Sequence, residues 1–307
     1  MRLPLTLTGP YARRLCALLA PLALCGCPGR APPVSPIPDA HSAIERMRAT
    51  AAGCNGVQAS AKIDHFGKEG RIRGDLLMIV AMPANIRMDI VSPFGASIAT
   101  LTSDSESFGL SDLRDKKFYV GPATACNIAR LTTVPIPGPV LVDLLRGQAP
   151  VLKQEKREGP STDLAWSSHG YYVVHIYGSW NTTEEIHLAP VDEDWNKPWQ
   201  EQRLRVLDVL VTRDGLVFYH AELSDHSPAP MAKPRVDPDG IDPPLPPSGP
   251  TCNAELPRKI HVEVPGLEED VQFRYDQVTW NPPLPQNIFT QQAPPGMPTV
   301  PVTWSDR

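Results

Sequence analysis

Polar and apolar residues alternate along much of this chain. In NIRMDIV (85–91), Ile86, Met88 and Ile90 fall on one side of an extended backbone, with Arg87 and Asp89 on the other. A period of two marks a half-buried strand. The same reading places Ile72, Leu76, Met78, Val80 and Met82 on one face of RIRGDLLMIVAM (71–82). ASIATLTS (96–103), SESFGLSDL (105–113) and KKFYVGP (116–122) follow at hairpin spacing, which predicts an antiparallel meander with one wet face. Further on come DLAWSS, GYYVVHIYG, TEEIHLAP, EQRLRVLDVLVTRDG and LVFYHAELSD. RKIHVEV and EDVQFRYDQVTW close the pattern, with Val271, Phe273 and Tyr275 opposed to Arg274 and Asp276.

Helical periodicity is confined to short stretches. AHSAIERMRATAAG (40–53) aligns Ile44, Met47 and Ala51 and stops at Gly53. ACNIARL (125–131) is brief, and PGPVLVDLLRG (137–147) carries Val140, Leu141, Leu144 and Leu145 as a stripe ended by Gly147. About eleven strands without strand–helix alternation exclude a doubly wound α/β fold. The expectation is a mainly β protein built on one strongly curled antiparallel sheet, an unclosed β-barrel of about eleven strands, with helices covering an apolar cavity. Met78, Val80, Met82, Ile86, Met88, Ile90, Val271 and Phe273 are the expected cavity lining. The competing expectation is that they fill a closed core.

Composition divides the chain further. Proline is 36 of 307 residues, against a usual share of about 5%. Residues 27–40 read as a proline-rich tether and 226–256 as a surface insert of the domain spanning 41–296, with 297–307 a tail. Residues 1–26 read as a lipoprotein signal peptide: Arg2, Arg13 and Arg14 precede the short apolar run LCALLAPLAL. LCGC (24–27) resembles a bacterial lipobox, whose register selects Cys27 as the lipid attachment site. Three cysteines remain in an oxidising compartment: Cys54, Cys126 and Cys252. Cys54–Cys126 is the favoured bridge, although spacing does not separate the three pairings. With 29 Lys+Arg against 34 Asp+Glu and no basic run interleaved with aromatics, nucleic acid is not an expected partner.

Motifs for nucleophilic, metal-dependent or phosphate chemistry are missing, so neither an enzyme, a cofactor nor a metal is expected. His169 and His175 stand too far apart along a strand to share a metal and are expected to face solvent. The acidic groups of TEE (183–185) and DED (192–194) read as solvated hairpin residues with nothing to shift their pKa. One feature stands out from this bland picture. Ser92-Pro93-Phe94-Gly95 places a phenylalanine at a turn tip between two strands.

Taken in order, RIRGDLLMIVAMPANIRMDIVSPFGASIATLTSD, KKFYVGP and RLTTVPIPGPVLVDLLRGQAP resemble the outer-membrane lipoprotein receptor LolB and its soluble relative LolA. The shared features are the early strand pair, the Ser-Pro-Phe-Gly turn, and Pro135-Ile136-Pro137 followed by Leu141, Leu144, Gly147 and Pro150; WNPPLPQNIFTQQAPPG (280–296) resembles the family's closing segment. The resemblance implies a half β-barrel that receives acyl chains of lipids or lipoproteins. It also implies Pro93, Phe94 and Gly95 as a membrane-contacting loop. The expectation is thus a monomeric lipoprotein, anchored in the bacterial envelope at the outer membrane and facing the periplasm. It would act in lipid binding or lipoprotein transport, with a periplasmic carrier protein as a possible partner. The alternative is a non-catalytic envelope scaffold using the same fold.

Overall fold

The computed structural model describes residues 29–303 apart from 69, 154–160 and 242. The expected signal peptide and the expected attachment site Cys27 lie outside the described residues. Helix α1 (Ala40–Thr50) starts where the Asp39 carboxylate accepts the Ser42 N–H at 2.8 Å, satisfying one of the free donors of a helix start. Six strands follow as a meander: β1 (Gly56–Gly67), β2 (Gly70–Ala81), β3 (Asn85–Val91), β4 (Ser97–Asp104), β5 (Ser107–Asp112) and β6 (Lys117–Pro122). Helices α2 (Ala125–Thr132) and α3 (Gly138–Leu145) interrupt the strands where the periodicity changes. A second series comprises β7 (Thr162–Ser167), β8 (Tyr171–Tyr177), β9 (Thr182–Pro190), β10 (Leu204–Arg213), β11 (Leu216–Ser224), β14 (Lys259–Val264) and β15 (Glu269–Trp280). The insert contributes the short pair β12 (Ser227–Pro228) and β13 (Glu255–Leu256), and β16 (Thr299–Pro301) is the last strand among the described residues.

Fourteen strands make one sheet in the order β16-β6-β5-β4-β3-β2-β1-β15-β14-β11-β10-β9-β8-β7, so eleven was an undercount. The sheet is mixed rather than wholly antiparallel, because β16 runs parallel to β6, with Val300 beside Tyr119. The two meanders join where β1 meets β15, with Val57 opposite Trp280 and Ile63 opposite Phe273. The end strands β16 and β7 do not pair, and the curled sheet stays unclosed.

The inner face carries the core. Val57, Ala59, Ala61 and Ile63 of β1, Leu76, Met78 and Val80 of β2, and Val271 and Phe273 of β15 are buried in one continuous cluster with Ile44 and Met47 of α1, Ile128 of α2 and Leu141, Leu144 and Leu145 of α3. α1 lies against β7, β8 and β10, α2 against β4 and β5, and α3 against β2 and β3. Burying each large apolar side chain contributes about 1.5–3 kcal/mol, which is how these short helices are held.

The disulfide joins Cys54 to Cys252, leaving Cys126 free, in place of the expected Cys54–Cys126 pair. Asn281 supplies the reason. Its carbonyl accepts the N–H groups of Asn55 and Gly56 at 2.8 and 3.1 Å, and its amide donates to the Gly53 and Pro250 carbonyls at 2.6 and 2.7 Å. One buried side chain thereby lays the returning end of the insert beside the entry to β1, whereas Cys126 opens α2 over β4 and β5.

Candidate functional site

The expected cavity lining divides three ways. Met78, Val80, Ile86, Met88, Val271 and Phe273 are all buried within the shared core; of these Met78 also borders a cavity, the one on the outer face described next. Ile90 is half-buried against the same cluster. Met82 does not face inward: β2 ends at Ala81, and Met82 stands in the following turn with 51% of its surface exposed.

A cavity of about 750 Å³ opens instead on the outer face of the sheet. Its floor is built from outward residues of β15, β1, β2 and β3, among them Gln277, Gln58, Leu77, Ile79 and Arg87. Two proline-rich straps wall it: Ala232, Lys233 and Arg235 from the insert, and Pro283, Pro285 and Ile288 from the segment after β15. Proline lacks the N–H a strand needs, so such segments lie across a sheet instead of joining it. The insert is pinned at Trp280, whose N–H reaches the Pro230 carbonyl at 2.9 Å while its carbonyl accepts the Ala232 N–H at 2.8 Å. Gln291 pins the second strap by donating to the Thr100 and Gly109 carbonyls, each at 2.8 Å. Arg87 is held by Asp89 at 3.0 Å, and Asp89 also accepts the Thr100 hydroxyl at 2.6 Å. The result is a floor in which Leu77 and Ile79 stand among Gln58, Gln277 and the paired Arg87, with Lys233 and Arg235 on the insert wall; its volume falls within the roughly 300–1,000 Å³ of small-molecule sites.

Phe94 sits at the tip of the β3–β4 turn with 96% of its surface exposed. The Gly95 N–H closes the turn on the Ser92 carbonyl at 2.8 Å, and Gly95 takes φ +80°, a region only glycine enters freely. Antiparallel pairing puts alternate turns on one rim, and Phe66 opposite Asp270 shows that the rim runs through both meanders. Along it stand exposed apolar side chains at five hairpins, Phe66, Phe94, Leu113, Trp180 and Leu216, with charged Lys68, Arg114, Asp115, Lys116 and Asp214 beside three of them and the β14–β15 turn between Phe66 and Leu216. Trp180 and Asn181 take φ 59° and 50°, so an indole occupies a left-handed position that sterics disfavour for bulky residues. Both the Ser92–Ala96 and Gly178–Thr182 tips carry no charged residue. The opposite rim carries Met82 and polar turns such as Asp104-Ser105-Glu106.

Two acidic groups expected in solvent are buried. Glu184 faces inward beside Ile186 and Leu188, accepts the Leu152 N–H at 2.8 Å through one oxygen and leaves the other unpartnered. Burial pushes its carboxyl up to about 8, so it is largely protonated at neutral pH. Asp194 is wholly buried, and the hydrogen bonds from Arg203 and Lys197 outweigh burial and hold its carboxyl at about 2. His175 is half-buried rather than free in solvent, with Asp163 at 2.7 Å and Glu185 at 3.0 Å. Trp195 braces the tether: the Arg30 guanidinium stacks on it at 3.7 Å.

Alternation along β2 reports its inner face alone and does not disclose the outer cavity. Its signal is present, since LLMIVA (76–81) is continuously apolar, which puts Leu77 and Ile79 on the outer face opposite the buried Leu76, Met78 and Val80.

No family model and no curated protein matches the chain. Among solved structures, the chain is similar to a candidate outer membrane lipoprotein-sorting domain from Vibrio parahaemolyticus, at 11% identity and a TM-score of 0.44, over 82% of this chain and 95% of that one. It is similar to a LolA superfamily protein from Nitrosomonas europaea at 11% identity and a TM-score of 0.44, over 83% and 98% of the two chains. A DUF1329 family protein from Desulfovibrio piger matches at 7% identity and a TM-score of 0.48, over 82% and 96%.

Proposed function

We propose that this chain is a lipid-anchored protein of the bacterial envelope that sets its apolar rim on a membrane surface and binds acyl chains, of lipids or of lipoproteins, in the outer cavity. The observation that carries the reading is the row of exposed apolar hairpin tips along a single rim, with Phe94 the most exposed of them. Water gives such a row no stabilisation, whereas an interface accepts aromatic tips. Among the described residues, no helix is long and apolar enough to cross a membrane. Attachment at Cys27 therefore supplies the anchor in this reading, and the rim sets the orientation. The cavity suits an amphipathic ligand, with Leu77, Ile79 and Ile288 for the chain and Lys233 and Arg235 for a polar or anionic head. Delivery of lipoproteins to the outer membrane, with a periplasmic carrier as donor, is the process these properties fit.

Titration of a fluorescent fatty acid into the Cys27→Ala chain tests the site. Saturable binding is expected, with Leu77→Glu weakening it at least tenfold; no binding, or binding that Leu77→Glu leaves unchanged, refutes the cavity. The packed inner face favours a second reading, in which the fold serves as a scaffold and the proline-rich insert docks a protein. One stoichiometric partner crosslinked through residues 226–256, together with no lipid binding, would support that reading.

A further inference from the structure

The outer face of the second meander holds an arrangement that lipid binding does not use. Seven neighbouring strands, from β7 across to β15, carry four histidines and six carboxylates in cross-strand register: Asp163, His175, Glu185, His187, Asp208, His220, Glu222, His261, Glu263 and Asp270. Asp208 joins this face through a bulge between Val206 and Asp208, which breaks the strand's alternation at that point. Each carboxylate has a histidine as its ionic partner, and none of the described ion pairs links one of them to a lysine or arginine.

Six carboxylates cannot be balanced by four imidazoles, which supply at most four positive charges. The row is therefore an anionic stripe on an open sheet face, and imidazole beside carboxylates is a donor set that zinc-like dications accept. Two groups at its centre are already gathered. Asp208, His220 and Glu222 form one and His261, Glu263 and Asp270 the other, with donor atoms of each group within 4.8 Å of one another. His220 Nε2 lies 2.7 Å from Asp208 Oδ2, and His261 Nε2 lies 2.7 Å from Asp270 Oδ1 and 3.6 Å from Glu263 Oε1. The groups adjoin, with His261 Nδ1 3.6 Å from Glu222 Oε2 and His220 Nδ1 3.9 Å from Glu263 Oε2. A tetrahedral ion with bonds of about 2.0–2.2 Å sets its donors roughly 3.3–3.6 Å apart, so side-chain rotation of an ångström or less closes either group.

We propose that the two central groups of this stripe, and not its outer residues, bind transition-metal dications, one ion on Asp208, His220 and Glu222 and a second on His261, Glu263 and Asp270, with water completing each shell. A rigid antiparallel sheet spaces the donors, and their place on the outer face leaves room for exchange with solvent.

Isothermal titration of Zn²⁺ into the Cys27→Ala chain tests this. Two ions per chain are expected in the parent, one in His220→Gln, one in His261→Gln and none at these sites in the double variant, with His175→Gln unchanged. Circular dichroism confirms that the variants fold. Glu222→Gln, which removes a more exposed ligand, is expected to weaken the first ion about tenfold. Electron paramagnetic resonance of added Cu²⁺ should show imidazole nitrogen couplings that the double variant loses. Equal Zn²⁺ uptake by parent and double variant, or no uptake by the parent, overturns the proposal.

Discussion

Phe94→Ser isolates the rim's contribution to membrane association. The ring is 96% exposed and its loss removes no core contact, so folding stability should change by less than about 0.5 kcal/mol. On a bilayer, nearly the whole side chain is available for burial, a gain of about 1.5–3 kcal/mol. Converted to partitioning, that is roughly 10- to 150-fold. The anchor must be absent for the effect to be visible, so the Cys27→Ala chain is the parent for both proteins compared. Sedimentation with neutral phospholipid vesicles gives the partition coefficient, and urea unfolding gives the stability. Phe94→Ser should bind vesicles at least tenfold more weakly at an unchanged unfolding midpoint, and Trp180→Ser should act in the same direction. Equal vesicle binding by Phe94→Ser and its parent would refute the assignment of this rim to the membrane.

The disulfide closes a separation of 198 residues, for which chain entropy alone gives about 5 kcal/mol. Cys252→Ser should therefore lower unfolding free energy by about 2–5 kcal/mol in denaturant titration, and should weaken fatty-acid binding because the insert walls the cavity; an unchanged midpoint would contradict this. Glu184 makes stability depend on pH. Its folded pKa of about 8 lies above the ordinary 4.5, so the native state holds a proton that the unfolded state releases, and this contribution is complete below pH 4.5 and lost as pH rises to 8. Relative to wild type, Glu184→Gln should gain about 3 kcal/mol of unfolding free energy between pH 5 and pH 8; parallel pH profiles would show that the carboxyl is already ionised in the fold. His226 has the opposite sign: burial lowers its pKa to about 4, so its contribution is complete above pH 6.5 and lost as pH falls through 4. His226→Gln should flatten that acid limb, read by the same titration.

Most of the fold was legible in the sequence, because strict alternation in segments such as NIRMDIV and KIHVEV permits one pairing parity. The parallel strand β16 was not, since Thr299–Pro301 is three residues long and takes its place from β6 alone. Phe94 could be picked out by position, as a large apolar residue between Pro93 and Gly95. The rest of its rim became visible only when the register put the alternate turns side by side. Leu77 and Ile79 carried a signal in their unbroken apolar run, but a strand with one wet face was the simpler reading. The cysteine pairing was out of reach, because it follows from Asn281, whose four hydrogen bonds gather segments far apart in the chain. The histidine row hides for a similar reason: four of the seven strands show one histidine each at a polar position, and the pattern exists only across strands.

Native mass spectrometry of the Cys27→Ala chain, exported to the periplasm and purified without detergent, measures acyl-chain binding most directly. The account predicts a population carrying the added mass of one lipid, released on collisional activation and depleted by Leu77→Glu. A chain that emerges at its bare mass from lipid-replete cells, and stays bare after incubation with phospholipid vesicles, would contradict it.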